Sequence, residues 1–181
     1  MAVKRSGPGF ATLNAHLKAL NGVQAKAGVF ETAHYPNGTP VAYVLAIQEY
    51  GTPTIPPRPS GRETVARRQA EWLDLLAAGA REVLAGRETA LSALEKIALR
   101  AAGEWGVTIS ELYEPALSML TLALRKWKKD HPGKEVTGKI VGEVAASLHK
   151  GPPNLSGIST KPLVDTRQMI QALTGVVEKV K

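Results

Sequence analysis

The chain has 181 residues, 44% apolar and 22% charged, which suits one globular unit with its own core rather than a disordered chain. It contains no cysteine, which excludes disulfides, thiolate metal sites and thiol catalysis and suits an intracellular assembly environment. A net charge of +7 fits a nucleic-acid surface, an acidic protein partner or plain solubility, and selects none of them.

Aromatic residues are only 5% of the chain, while alanine and leucine supply much of its apolar content, which favours helix over a β-sandwich. Met1-Ala2-Val3-Lys4-Arg5 is basic, but no continuous apolar run follows, so no signal peptide is expected. Phe10, Leu13, Leu17 and Leu20 fall on one stripe and predict a helix that stops at Asn21-Gly22. Val23 to Thr32 alternates as a strand, with Val23, Ala25, Ala27 and Val29 on its buried side. Tyr35 to Pro40 is a turn, carrying prolines and Asn-Gly. Val41 to Tyr50 fits a short helix about as well as a strand, and its alanines tip the reading to helix. Gly51 to Gly61 holds four prolines and must be a stiff, extended loop, because each proline fixes φ and removes a donor.

Arg62 to Leu84 is a long amphipathic helix whose buried face should be Val65, Trp72, Leu73, Leu76, Ala80, Val83 and Leu84. A further helix is expected from Thr89 to Trp105. Thr108-Ile109-Ser110-Glu111 then reads as a capping box opening another helix, which Pro115 starts or kinks and which runs to Trp127. Its last turn, Arg125-Lys126-Trp127-Lys128-Lys129, suits the negative end of a helix. Thr137 to Lys150 is helical, 151–160 is a loop, Asp165 should cap one turn, and Ala172 to Val180 alternates as a final strand. The expected fold class is α+β, a small antiparallel or mixed sheet from N- and C-terminal strands packed by several amphipathic helices, in a single domain spanning 1–181.

The inventory of catalytic patterns is empty. The histidines at 16, 34, 131 and 149 form no metal-binding pair, and there is no nucleophile elbow, Walker loop or dinucleotide turn, so no enzyme and no cofactor are expected. Glu49 reads as a helix cap or a partner of an arginine such as Arg58 rather than a catalytic acid, and Asp165 as a cap rather than a ligand. Arg62, Arg67, Arg68, Arg125, Lys126, Lys128 and Lys129 could face DNA phosphates, although Trp127 among them continues an apolar stripe and reads as packing. No sequence-specific nucleic-acid motif is present. No apolar run approaches the ~20 residues that span a bilayer, so no membrane partner is expected.

Two segments carry a resemblance. Glu49-Tyr50-Gly51 followed by Ile55-Pro56-Pro57-Arg58-Pro59 is one, preceded by the strand from Val23 and the Tyr35-Pro36-Asn37-Gly38 turn. Pro152-Pro153-Asn154 with Lys161-Pro162-Leu163-Val164-Asp165-Thr166 is the other. In this order they resemble the tail-completion, or head–tail joining, proteins of long-tailed bacteriophages. Family members commonly carry Gly after Asp-Thr and Phe after Arg-Pro, where this chain has Arg167 and Ser60, and 104–135 has no counterpart and reads as a helical insertion. The resemblance implies a structural virion component, made in the host cytoplasm and assembled as a ring, taken as six-fold, at the head-proximal end of the tail or in the neck. Its partners would be copies of itself, tail terminator, tail tube or neck/connector proteins, with DNA passing through the lumen. The contact residues it implies are Glu49, Tyr50, Gly51, Pro56, Pro57, Arg58, Pro59, Pro152, Pro153, Lys161, Pro162, Asp165 and Arg167. The rival reading is a basic DNA-associated protein that grips the duplex backbone without sequence preference.

Overall fold

A computed structural model describes residues 8–165 and 167–180; the basic run Met1 to Arg5 and Thr166 lie outside it. Helix α1 (Pro8–Asn21) leads through Gly22 into strand β1 (Val23–Val29), followed by α2 (Val41–Tyr50), α3 (Ser60–Leu84), α4 (Ala90–Glu111), α5 (Met119–Asp130), α6 (Gly138–Leu148), the single turn α7 (Gln168–Gln171) and strand β2 (Leu173–Lys179). The strands pair antiparallel from Val23 opposite Lys179 to Val29 opposite Leu173, so the two ends of the chain close one sheet. The fold is α+β, a single domain of seven helices and one two-stranded sheet among the described residues.

α4 is the axle. Its alanine-rich face, Ala90, Ala93, Ala98, Ala101 and Ala102, is buried, and small side chains let both α3 and the sheet approach closely. The closest approach is at Gly175 of β2, where a Cβ would stand 2.2 Å from the Ala98 carbonyl carbon and 2.5 Å from the Leu99 nitrogen. Only glycine fits there. One core cluster gathers Val41 and Leu45 of α2, Ile109 of α4 and Met169 of α7; a second joins Val83 of α3 to Ala90 and Ala93 of α4, with Leu20 and Val23 against it.

Side-chain caps set three of the helix starts. The side chains of Thr89, Ser118 and Thr137 accept from the amides of Ser92, Thr121 and Ile140 at the starts of α4, α5 and α6. α3 ends where Gly86 and Arg87 donate to the carbonyls of Val83 and Glu82 at 3.0 Å each.

Five expectations need correction. Thr108 to Glu111 does not open a helix but is the last turn of α4, because the Thr108 and Ser110 hydroxyls donate back to the carbonyls of Glu104 and Gly106. The next helix starts only at Met119 and is capped by Ser118, with Pro115 in the connection before it. Asp165 does not stand at the start of α7: the N-cap position is Arg167, at φ 60°, with no side-chain cap among the described residues. Finally, the apolar face of α3 is covered only in part. Val83 is buried, while Val65, Leu73 and Leu76 stay exposed, Leu73 at 63%. Also, β1 ends at Val29, and Ala33 turns back to donate to Phe30.

Candidate assembly surface

The proline segment is fixed from below by two buried charges. α2 ends where the Gly51 amide donates to the Ile47 carbonyl, and Gly51 takes φ 76°. A side chain there would sit 2.8 Å from the Ile55 carbonyl oxygen, so the tight corner needs glycine. Thr52 folds the tip, its hydroxyl accepting from the amides of Thr54 and Ile55. The chain then returns along α2, the Arg58 amide donating to the Gln48 carbonyl at 2.6 Å.

Glu49 is 7% exposed and caps α3 from a distance, since Pro59 before it offers no side-chain cap. Its two carboxylate oxygens accept from the amides of Gly61 (2.8 Å) and Arg62 (3.0 Å), and the Arg62 guanidinium adds an ion pair at 3.2 Å. A carboxylate at a helix N-terminus meets both the orphan donors and the positive end of the dipole. Arg58, 4% exposed, reaches the other way, donating to Gln48 Oε1 and to the carbonyls of Pro115 and Ala116. Burial, and then the nearby Arg125 cation, push the Arg58 guanidinium below its ordinary value. Glu49 and Arg58 are therefore not partners, and both are spent inside their own chain. What they leave on display is Tyr50, 73% exposed with Arg62 over its ring, the Thr52 to Thr54 tip, and Pro56 and Pro57. Pro59 is half-buried.

The second segment is tied to the same region. Arg125 of α5 donates to the carbonyls of Ser159 (2.7 Å) and Lys161 (3.0 Å) and faces Asp165 at 3.7 Å. Lys161 donates to the Ser110 carbonyl, with its ammonium over the Tyr113 ring, and Pro162 is buried. Lys129 donates to the Gly157 carbonyl. Pro152, Asp165 and Arg167 are exposed and Pro153 is half-buried. The stretch 112–118 lies between the two loops, held by Arg58 on one side and followed by α5 on the other.

Most of the basic residues that the sequence singles out are engaged within the chain. Arg67 pairs with Glu63 and Glu111, Arg68 with Glu71, and Lys126 with Asp130. Lys128 is exposed at the end of α5. Trp127 is half-buried and stacks on His131 with centroids 4.4 Å apart. Among the described residues no group of three or more His, Asp and Glu side chains could hold a metal, and no helix is long and apolar enough to cross a membrane.

Reasoning from sequence missed Gln48, Ser60 and Trp105. The Trp105 indole donates to the Ser60 hydroxyl at 2.9 Å and its ring lies 2.7 Å from where a Gly61 Cβ would be, clamping the start of α3 to α4. Nothing local in the sequence pairs residues 45 positions apart. No family model matches the chain, and no curated protein or solved structure matches it either.

Proposed function

We propose that this chain is a structural virion protein of a tailed bacteriophage, forming a ring at the head-proximal end of the tail or in the neck that completes the tail and joins it to the head. Two things support the reading: the order of the two signature segments along the chain, and the way their bases are built. The observation that carries it is the Gly51 to Pro59 loop, anchored by buried Glu49 and Arg58 while its tip and Pro56-Pro57 face solvent. A loop stiffened before binding loses little freedom on docking, which is what a repeated joint between subunits requires. A ring also needs two different complementary surfaces on each subunit. Copies of the chain, tail terminator, tail tube or neck/connector proteins are the partners, and DNA passes through the lumen without being read.

Replacing Pro56 and Pro57 together by Gly tests this. The variant should keep its helical circular dichroism and accumulate normally, while phage carrying it yields unjoined heads and tails and infectivity falls by orders of magnitude. Normal titres from that variant, or absence of the protein from purified particles, would sink the reading.

A further inference from the structure

The first helix has a hydrophobic stripe that its own chain covers only in part. Phe10, Leu13 and Leu17 are 45%, 37% and 43% exposed, and of residues 9–21 only His16 and Leu20 are even half-buried. An isolated helix of this length is marginal in water, so packing must hold it. His16 Nδ1 ties it to the C-terminal end of α3, donating to the Leu84 carbonyl at 3.3 Å.

At the other end of α3 lies an unfilled, largely apolar groove of about 740 Å³ between β1, α3 and α4, with Lys26, Arg62 and Gln69 among its lining residues. Ala98 and Ala101 line it, with Trp72 and Trp105, and Val65 and Tyr50 stand at its exposed edge. The alanines would let a helix sit close, and the aromatic rings offer it large apolar surfaces. α1 cannot fill the groove of its own chain. Val65 and Val83 are about 27 Å apart along α3, whereas Phe10 is only about 9 Å along α1 from the His16 anchor.

We propose that the groove takes α1 of a second copy, with Phe10, Leu13 and Leu17 of one subunit seated between the tryptophans of the next. Donor and acceptor are then different surfaces of one chain, so the contact is heterologous and repeats head to tail. The exposed area agrees. The chain exposes 11980 Å², whereas a compact monomer of 19.3 kDa exposes roughly 8,500 Å². Allowing the nine undescribed residues full unfolded-chain exposure, roughly 1,400 Å², still leaves roughly 2,000 Å² in excess. A subunit with two standard contacts covers about 1,600 Å². The proposal rests on the self-association half of the ring reading and names the joint.

The test is the solution mass of the purified full chain by sedimentation across a range of concentrations, beside two variants at exposed positions. Wild type should sediment as an oligomer. Leu13→Glu with Leu17→Glu removes the donor, Val65→Lys spoils the acceptor, and each should be monomeric with unchanged helical signal. Mixing the two variants should give one-to-one dimers and nothing larger, since one intact donor then meets one intact acceptor. Should either variant lose helical signal, Leu13→Ala and Val65→Ala replace them, with association about tenfold weaker expected for each. Monomeric wild type, a donor variant that assembles normally, or a mixture that stays monomeric overturns the proposal. A groove filled by a different virion protein would also leave the pure chain monomeric and so counts against it. Particles that contain the protein although the pure chain is monomeric would remove this joint and leave the virion reading standing, and an oligomer absent from particles would do the reverse.

Discussion

Replacing Glu49 by Ala leaves the amides of Gly61 and Arg62 without their acceptors at the start of a 25-residue helix. The expected loss is about 1–3 kcal/mol, read as a lower urea midpoint at unchanged slope. Gln should recover only part of it, because its amide nitrogen would face one of the two donors; a loss below about 0.5 kcal/mol would mean that water caps α3 as well as the carboxylate does. Gly175→Val is a harsher single change. Its side chain would begin inside the Ala98 backbone, so β2 must move off α4. Thermal unfolding should show a drop of several degrees or failure to fold, and a native melting temperature would show that the sheet can shift freely. At this scale the sequence was half legible. Glu49 reads as a cap or an arginine partner from its place before the prolines, and it is both. Its arginine is Arg62 rather than Arg58, because Arg58 turns to carbonyls at 115 and 116, and nothing nearby in sequence announces that stretch.

Between elements, α3 shows what periodicity can and cannot report. Apolar spacing says that a face will be covered, not by which chain. Val83, in the second core cluster, and Leu73, 63% exposed, look alike as positions in the repeat. Val83→Ala should cost about 2 kcal/mol in the monomer through lost burial and a cavity. Leu73→Ala should stay within about 0.5 kcal/mol, as surface changes do. Chemical denaturation of both variants at low protein concentration checks the split, and equal losses would mean that the helix packs on both sides in solution. The end of α4 was misread for a related reason. Thr-x-x-Glu is a start signal only where the preceding residues are not helical; here the two hydroxyls bond backwards inside a helix that Gly106 does not break. The strands, α1 and α2 were readable because alternation, a leucine stripe and alanine content each act locally.

For the whole molecule, net charge is a weaker guide than charge arrangement. The chain carries +7, yet Arg62, Arg67, Arg68 and Lys126 each face a carboxylate of the same chain, and Arg125 is turned inward to two carbonyls and Asp165. Exposed ion pairs add little stability, and they leave the net +7 unchanged, but each sets a negative charge beside its cation and lowers the local potential that a phosphate would meet there. A protein lining a passage for DNA gains from that arrangement, since strong backbone contacts would hold the duplex where it must slide. The purified protein should therefore bind duplex DNA no more tightly than the non-specific range of about 10⁻⁴–10⁻⁶ M, and lose most of that between about 50 and 200 mM salt. A gel-shift series across salt reads both quantities. Affinity in the nanomolar range that survives the higher salt would mean that these ion pairs open onto phosphates, and would put the DNA-associated reading ahead of the ring.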